Sequence, residues 1–250
     1  MKIAIITGAS RGLGRNAALK LAEKNVGIIF TYNNNKDAAD SLIAEINQLG
    51  SKAYALKLDV ANTKEYEAFT KNVQSLLKEQ FKTDQFDFLL NNAGHGYNSS
   101  FMETTEEEFD KLFNVHLKAT FFLSQKLVPL MREGGKIINT STGLARFSLP
   151  GYAAYASVKG GIEVLTRYMA KELGSKKISV NTIAPGAIET DFSNGAVRDN
   201  KDINNFISSI TALGRVGLPD DIGSAVASLF LNESNWINAQ RIEVSGGMLI

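Results

Sequence analysis

The sequence predicts an α/β protein built on one doubly wound parallel sheet of about seven strands, with helices on both faces. Short β-branched apolar runs alternate with longer amphipathic stretches along the whole chain. A glycine-rich turn directly follows the first apolar run, and no linker or repeat interrupts the alternation. With 250 residues, of which 44% are hydrophobic, the chain can bury one core as a single domain covering residues 1–250.

The elements follow this alternation in order. The apolar runs that predict buried strands lie at residues 3–7, 26–32, 53–58, 86–91, 136–141, 178–183 and 241–244. The amphipathic stretches that predict helices lie at residues 15–24, 38–49, 63–80, 106–131, 155–173 and 220–231. Residues 187–218 lack either pattern, and such a long irregular segment is typical of a substrate lid.

Composition narrows the function classes. A net charge of +1 without long charged runs gives no electrostatic surface for nucleic acid or an anionic membrane, and no stretch of 18 uninterrupted apolar residues occurs. The chain has no cysteine, and its two histidines, His95 and His116, make a poor set of metal ligands. We therefore expect a cytoplasmic protein that binds no metal and acts on a small molecule, and we assign neither histidine a role.

The glycine-rich turn at residues 7–14 predicts a nucleotide site. Gly8, Gly12 and Gly14 stand between the first strand and the first helix, where backbone N–H groups can face a pyrophosphate. The spacing G-x-x-x-G-x-G differs from that of a P-loop and no G-K-[ST] follows, which disfavours ATP hydrolysis. A plain turn between a strand and a helix is the alternative.

The residues after the second strand favour NADP over NAD. An acid at this point would hydrogen-bond the ribose 2′-hydroxyl of NAD, but residues 31–35 read Thr-Tyr-Asn-Asn-Asn. Arg11, within the glycine turn, can reach a 2′-phosphate with its forked guanidinium. In the alternative interpretation Arg11 is simply solvated and the site accepts both cofactors.

Tyr155 and Lys159 form the candidate catalytic pair. Four residues make about one helical turn, so the phenol and the ammonium stand on one face, and the cation should favour phenolate. Alone, the Y-x-x-x-K pattern is weak, because many helices carry such a pair on their solvated surface.

Together these motifs resemble the short-chain dehydrogenase/reductase family, and within it the 3-oxoacyl-acyl-carrier-protein reductase-like group. The glycine turn is similar to the family's T-G-x-x-x-G-x-G, residues 91–94 to its N-N-A-G, and Tyr155 with Lys159 to its active-site pair. The motifs keep the family's order and spacing over essentially the whole chain. The resemblance implies a Rossmann fold and an NADP-dependent oxidoreductase that interconverts a carbonyl and a secondary alcohol.

The resemblance also implies residue roles. Tyr155 would exchange a proton with the substrate oxygen, while Lys159 lowers its pKa and binds the nicotinamide ribose. Asn114 would hold a relay water, unless it only bonds locally within its helix. The implied cofactor contacts are Gly8, Ser10, Arg11, Gly12, Leu13, Gly14, Tyr32, Asn33, Asp59, Val60, Asn91, Ala93, Gly94, Tyr155, Lys159, Pro185, Gly186, Ile188 and Thr190.

One position departs from the family pattern. The family's carbonyl-orienting serine lies 13 residues before the tyrosine, and that count from Tyr155 reaches Thr142, with Ser141 one residue earlier. A threonine hydroxyl can donate the same hydrogen bond, although its methyl group narrows the pocket and stiffens χ1. We favour Thr142, and Ser141 stays open as the alternative.

Three functions from different classes remain at this point. The leading one is the reductase; the others are a dinucleotide-sensing binding protein without turnover, and an isomerase or dehydratase on the same fold. A homotetramer is implied by the resemblance alone. Substrate identity and reaction direction stay open.

Overall fold

The computed structural model describes residues 1–250 and contains one sheet of seven parallel strands. The strands are β1 (Ile3–Ile6), β2 (Gly27–Tyr32), β3 (Ala53–Lys57), β4 (Phe86–Asn91), β5 (Met131–Thr140), β6 (Ser179–Pro185) and β7 (Arg241–Val244). Their order is β3-β2-β1-β4-β5-β6-β7, and each neighbouring pair is parallel. The predicted doubly wound fold is confirmed. The strand order reverses between β1 and β4, so their carboxyl ends open a crevice for a ligand.

Helices cover both faces. They are α1 (Gly12–Ala22), α2 (Lys36–Gln48), α3 (Tyr66–Gln80), α4 (Glu106–Leu112), α5 (Ala119–Leu127), α6 (Ala153–Glu172), α7 (Ala196–Asp199), α8 (Lys201–Ser209) and α9 (Pro219–Leu231). Successive side chains of β1 point to opposite faces. Ala4 and Ile6 pack with α1, α2 and α9, whereas Ile3 and Ile5 pack with α3 and α5. No helix is long and apolar enough to cross a bilayer.

The predicted single helix at residues 106–131 differs from the structure. A π-helical turn, Phe113–Lys118, joins α4 to α5, and the helix ends before a 3-10 turn at Val128–Leu130. Pro129 lies in that turn and cannot continue the helix. Met131 already belongs to β5 and pairs with Phe86, so β5 begins earlier than predicted; the register shifts before Lys136, where Gly134 has φ 78°. A π-turn inserts one residue and so rotates the side chains that follow it.

Residues 187–218 are not irregular throughout, as the sequence pattern predicted. They contain α7, α8 and a short turn at Phe192–Gly195. In that turn Ser193, Asn194 and Gly195 all have left-handed φ, of 51°, 56° and 74°. Two of these are not glycine, so the turn holds backbone strain beside Phe192. The pattern missed the helices because they are short and mostly polar.

Candidate active site

Four chain segments meet at the carboxyl edge of the sheet. The glycine turn follows β1, the N-N-A-G segment follows β4, residues 141–142 follow β5, and residues 186–190 follow β6. In open α/β sheets this edge is where ligands bind. Most of the predicted site residues therefore share one edge, although they come from distant parts of the chain.

The glycine turn is a tight cradle that fits a pyrophosphate. Gly8 has φ 65°, and a Cβ at this residue would lie 2.8 Å from the Cα of Ala93. A Cβ on Gly14 would lie 2.7 Å from the Gly8 carbonyl oxygen. Helix α1 begins at Gly12, and its N-cap residue, Arg11, gives it no side-chain cap. The first N–H groups of the helix thus stay available for an anion, with Ser10 and Leu13 flanking them.

Side-chain hydrogen bonds fix the N-N-A-G segment to this turn. The amide of Asn92 donates to the carbonyl oxygens of Thr7 and Gly8, at 3.1 Å each. The Thr7 hydroxyl accepts from the backbone N–H groups of Asn92 and Ala93 at 2.9 and 3.0 Å. Ala93 and Gly94 consequently stand beside the glycine turn.

Asn91 points elsewhere. Its side chain is buried and donates to Ser124 Oγ at 2.9 Å and to Asn139 Oδ1 at 2.8 Å. These bonds join β4 to β5 and to α5 within the core. The side chain therefore stabilises the strand ends, and only the backbone of this residue is left to line the edge.

The end of β2 carries no carboxylate. Tyr32 is half-buried, Asn33 is exposed, and the carboxamide of Asn35 caps α2 by accepting from Ala38 N at 2.9 Å. Arg11 is exposed and forms no ion pair, whereas its neighbour Arg15 is paired with Glu45. Arg11 is thus the free cation at this corner of the crevice.

Asp59 and Val60 follow β3 at the predicted adenine end. The carboxylate of Asp59 accepts from Ala61 N at 2.9 Å, and Val60 is buried beside it. Asp59 is half-buried and keeps its second oxygen free of hydrogen bonds within the chain. The pair therefore offers one apolar contact and one acceptor.

The segment after β6 closes the other side of the crevice. Pro185 ends the strand, and Gly186 approaches Ser245 so closely that a Cβ would lie 2.9 Å from the Ser245 Cα. Thr190 faces the glycine turn, since a Cβ on Gly12 would be 3.9 Å from its Cβ. Ile188, between them, pairs with Gly217 in a short parallel bridge.

Tyr155 and Lys159 lie one turn apart on α6, and both are buried, at 8% and 4% exposure. The Lys159 ammonium lies 5.8 Å from the Tyr155 ring centre and donates to the Thr140 carbonyl oxygen at 2.7 Å. The alternative of a solvated surface pair is wrong, because neither side chain faces bulk water.

Burial controls the pKa of each member of this pair. It raises the pKa of Tyr155 above its ordinary value, an effect that a hydrogen bond with the Thr142 side chain partly offsets. It lowers the pKa of Lys159 to about 7. We expected the lysine to hold the tyrosine pKa down, but desolvation is the larger effect and acts in the opposite direction.

The structure separates the two hydroxyl candidates. The Thr142 side chain lies close enough to Tyr155 to lower its pKa, and its Oγ1 accepts from Leu144 N at 3.3 Å. Ser141 instead donates to Glu163 Oε1 at 2.7 Å and is buried behind α6. Thr142, and not Ser141, is the hydroxyl that faces the tyrosine.

A network that the sequence did not reveal supports Thr142. Arg241, on β7, donates to the Thr142 carbonyl oxygen at 3.0 Å and pairs with Glu163 at 2.7 Å. The guanidinium also contacts Glu243 at 2.8 Å. Nothing in the local sequence links β7 to residue 142, since about 100 residues separate them.

Asn114, to which the resemblance gives the relay water, lies in the π-turn. It is half-buried, and its side chain forms no hydrogen bond within the chain. The π-turn packs against α6 and also carries His116. The His116 ring is buried and meets the Tyr155 ring edge-on, with the centroids 5.5 Å apart, a contact that the sequence analysis did not predict.

A cavity of about 320 Å³ opens next to the start of α6. Its walls are largely apolar, and they include Leu144, which also packs against the cluster around Tyr155. The lining residues are Ser100, Phe101, Leu144, Ser148, Leu149, Pro150, Gly151, Tyr152, Ala153 and Ala156. Phe192 lies on another side of Tyr155, with ring centroids 6.1 Å apart. The cavity therefore lies near the first turn of α6, and Leu144 is the residue that links it to the cluster around Tyr155.

Comparison with known families agrees with this geometry. The model of the enoyl-(acyl-carrier-protein) reductase family matches residues 8–249, which is nearly the whole chain. This chain belongs to the short-chain dehydrogenase/reductase family. It is accordingly an NAD(P)-dependent oxidoreductase, and the prediction from its motifs is confirmed.

Individual relatives are similar over their full lengths. The chain is 37% identical to the 3-oxoacyl-[acyl-carrier-protein] reductase FabG of Staphylococcus epidermidis over 249 residues, covering 99% of this chain and 98% of the relative. It is 34% identical to the hydroxynaphthalene reductase-like protein Arp2 of Metarhizium brunneum over 258 residues, covering 98% and 94%.

Two solved structures share the fold closely. The promiscuous reductase LugOII, which catalyses a keto-reduction during lugdunomycin biosynthesis, superposes with a TM-score of 0.94 at 35% identity and covers 100% of this chain and 98% of its own. The angucycline ketoreductase LanV, solved with bound NADP, gives a TM-score of 0.93 at 33% identity, covering 99% and 95%.

Proposed function

We propose that this protein uses NADPH to reduce a ketone carried by a medium-sized, largely apolar aromatic compound. The observation that carries the proposal is the buried cluster of Tyr155, Lys159 and Thr142, which lies with the glycine cradle at the carboxyl edge of the sheet; Leu144 links the cluster to an apolar cavity. The cluster provides the proton chemistry, and the cradle provides the place for the dinucleotide.

Each residue of the cluster has a distinct task. The phenol of Tyr155 gives its proton to the substrate oxygen as that oxygen gains negative charge. Thr142 donates a hydrogen bond to the same oxygen; Leu144 N holds its Oγ1, and Arg241 holds its backbone carbonyl. Lys159 in its protonated form stabilises the tyrosinate left behind. When bound, the reduced nicotinamide supplies the hydride to the carbonyl carbon.

The preference for NADP rests on charge. Arg11 is free, the end of β2 has no carboxylate to repel a 2′-phosphate, and the neighbouring Arg15 is committed to Glu45. LanV, a reductase of similar structure, binds NADP. The glycine cradle, Asp59, Ile188 and Thr190 would hold the remainder of the dinucleotide.

The aromatic substrate class rests on the cavity and the relatives. Leu144, Leu149 and Phe101 give the cavity apolar walls, and the Phe192 ring lies against the Tyr155 ring. Relatives named as hydroxynaphthalene and angucycline reductases act on fused-ring compounds. A 3-oxoacyl thioester is the competing substrate, because FabG is similar over the same length.

We also infer a cytoplasmic homotetramer, with residues 187–218 acting as the substrate lid. Large apolar side chains on the outer faces of the π-turn, α5 and α6 stay exposed in the single chain, and such patches mark interfaces. They are Phe113, Phe121, Phe122, Val164 and Tyr168. Light scattering of the purified protein tests the assembly, since a mass near four times 27.2 kDa is expected.

Turnover tests the proposed function directly. The purified protein is given NADPH and a panel that contains a tetralone, a polycyclic quinone, a simple aliphatic ketone and an acetoacetyl thioester. We expect the fused-ring ketones to give the highest kcat/KM. Preference for the thioester would refute the substrate class, and binding of NADPH without reduction of any compound would refute the reductase proposal.

A further inference from the structure

Arg146 is a charged residue near the candidate active site to which the proposed function gives no task. It directly follows the 3-10 turn Gly143–Ala145, which begins after Thr142. Its guanidinium forms a two-point ion pair with Glu243 on β7, at 2.8 Å to Oε2 and 2.9 Å to Oε1. Such a forked pair fixes the orientation of the arginine as well as its position.

The same guanidinium holds the end of the chain. It donates to the backbone carbonyl oxygens of Met248 and Leu249, at 2.8 and 3.0 Å. Arg146 therefore makes four hydrogen bonds, all to groups that follow it by 97 to 103 residues in the chain. A lysine ammonium carries its donors on one atom and cannot reproduce this arrangement.

The C-terminal tail, residues 246–249, is bonded in turn to the chain just after α8. Met248 forms an antiparallel bridge with Thr211, and Leu249 N donates to the Ile210 carbonyl oxygen at 2.9 Å. These contacts lie at the base of the proposed lid. Arg146 is thus connected to the lid through the tail.

The wall segment, residues 143–149, supplies two apolar walls of the cavity, Leu144 and Leu149. Phe147 and Leu149 pack against the apolar cluster that joins α8 to the C-terminal tail. The Phe147 ring also folds back on Gly143, where a Cβ would lie 2.9 Å from it. Apolar contacts have no directional preference, so they bury this segment without fixing its exact position. The arginine supplies the directional bonds.

The charges around Arg146 balance. Glu243 also accepts from Arg241 at 2.8 Å, and Arg241 pairs in turn with Glu163. Two arginines and two glutamates therefore alternate between the wall segment and α6. Burial would raise the pKa of Glu243, but the hydrogen bonds from Arg146 and Arg241 hold it below its ordinary value. The carboxylate consequently stays ionised at neutral pH and binds both arginines.

We propose that Arg146 is a specificity-determining positioning residue, which fixes the apolar wall of the cavity by tying the wall segment to Glu243 and the C-terminal tail. This inference rests on the proposed function, because it takes the cavity as the place for the ring system of the ketone. The hydrogen bonds of Arg146 go to none of the catalytic side chains. Its loss should therefore weaken the binding of a large substrate and spare the chemical step and the dinucleotide.

Arg146→Met removes these bonds and keeps an apolar side chain of similar reach. With a tetralone as the large ketone, we expect KM to rise by about tenfold while kcat stays within about threefold of wild type. KM for a small aliphatic ketone, which does not fill the cavity, should change by less than about twofold, as should the NADPH dissociation constant. An equal rise in KM for both ketones, or a loss of kcat with KM unchanged, would overturn the proposal.

Two matched variants separate the forked pair from charge and from general stability. Arg146→Lys keeps the charge but not the fork, so KM for the tetralone should rise nearly as much as in the methionine variant. A wild-type KM in the lysine variant would refute the role of the forked pair. Arg15 has a similarly exposed side chain, 30% against 37%, and is paired with Glu45 far from the wall segment. Arg15→Met should keep the wild-type KM.

Hydrogen exchange gives a readout that needs no turnover. In Arg146→Met the backbone amides of the wall segment and the C-terminal tail should exchange about tenfold faster, whereas those of α1 should keep their wild-type rates. Unchanged exchange in the wall segment would overturn the proposal. If the wild-type protein reduces no ketone, the proposed function fails, while faster exchange in the variant still supports the attachment of the wall segment by Arg146.

Discussion

Replacing Arg11 by alanine should remove the proposed preference for NADPH over NADH. Arg11 stands at the N-cap of α1, is exposed and has no ion-pair partner, so its guanidinium is free to meet a 2′-phosphate. NADH lacks this phosphate. The substitution therefore removes an interaction that only NADPH makes.

The size of the effect follows from the kind of bond. A hydrogen bond to a charged group contributes about 1.5–3 kcal/mol, and solvent screening at an exposed residue places Arg11 at the lower end of that range. A loss of about 1.5 kcal/mol corresponds to a roughly tenfold weaker dissociation constant. We expect NADPH to weaken by about tenfold and NADH by less than about twofold.

Titration of nicotinamide fluorescence at fixed ionic strength measures both constants. Arg15→Ala is the matched control, because Arg15 lies on the same helix but is engaged with Glu45. It should leave both affinities nearly unchanged. If Arg11→Ala weakens NADPH and NADH equally, the guanidinium contacts the pyrophosphate they share, and the argument from the 2′-phosphate is refuted.

Three further outcomes follow from the catalytic cluster. Tyr155→Phe should abolish reduction, because the proton donor is lost, while titration should show an NADPH affinity within a few fold of wild type. A comparable loss of NADPH binding would contradict the assignment of Tyr155 to proton donation alone. In steady-state kinetics, Thr142→Val should lower kcat by about 100-fold, whereas Thr142→Ser should keep the wild-type kcat. A fully active valine variant would show that the hydroxyl takes no part in the reaction. Burial holds the pKa of Lys159 at about 7, against about 10.4 in the unfolded chain. Between these two pKa values the unfolded chain binds more protons than the folded chain. The free energy of unfolding, measured with urea, should therefore increase as the pH rises above 7, and Lys159→Met should weaken that pH dependence.

The sequence predicts most of this fold because its signals are local. Each strand of the sheet is a short apolar run, and each long helix has an apolar stripe, so alternation alone predicts the doubly wound class. The helices in residues 187–218 were not predicted because they are short and mostly polar, and the π-turn at residues 113–118 was not predicted because its structure depends on tertiary contacts. The π-turn has less regular hydrogen bonds than an α-helix, and packing against α6 must compensate for them. The hydrophobic periodicity of the sequence does not predict such packing.

The residues of the candidate active site show the same difference between local sequence patterns and tertiary contacts. Gly8, Tyr155 and Lys159 could be found because their motifs are short and the chemistry demands those residue types at those spacings. His116 has the opposite character: its contact with the Tyr155 ring comes from the packing of the π-turn against α6, and no motif predicts it. The relay role of Asn114, which the resemblance implies, stays a prediction.

Arg241 shows how a distant strand can set the chemistry of a motif. The threonine at position 142 carries a methyl group that must be kept clear of the substrate, and a loosely held backbone would let its hydroxyl turn away. The bond from Arg241 to the Thr142 carbonyl oxygen, braced by Glu163, fixes that backbone, while the Ser141 hydroxyl is occupied by the same glutamate. The pair of Arg241 with Glu163 therefore orients the threonine, and its glutamate also binds the serine hydroxyl and keeps it away from Tyr155. This is why a chain with adjacent hydroxyls at positions 141 and 142 presents only one of them to Tyr155.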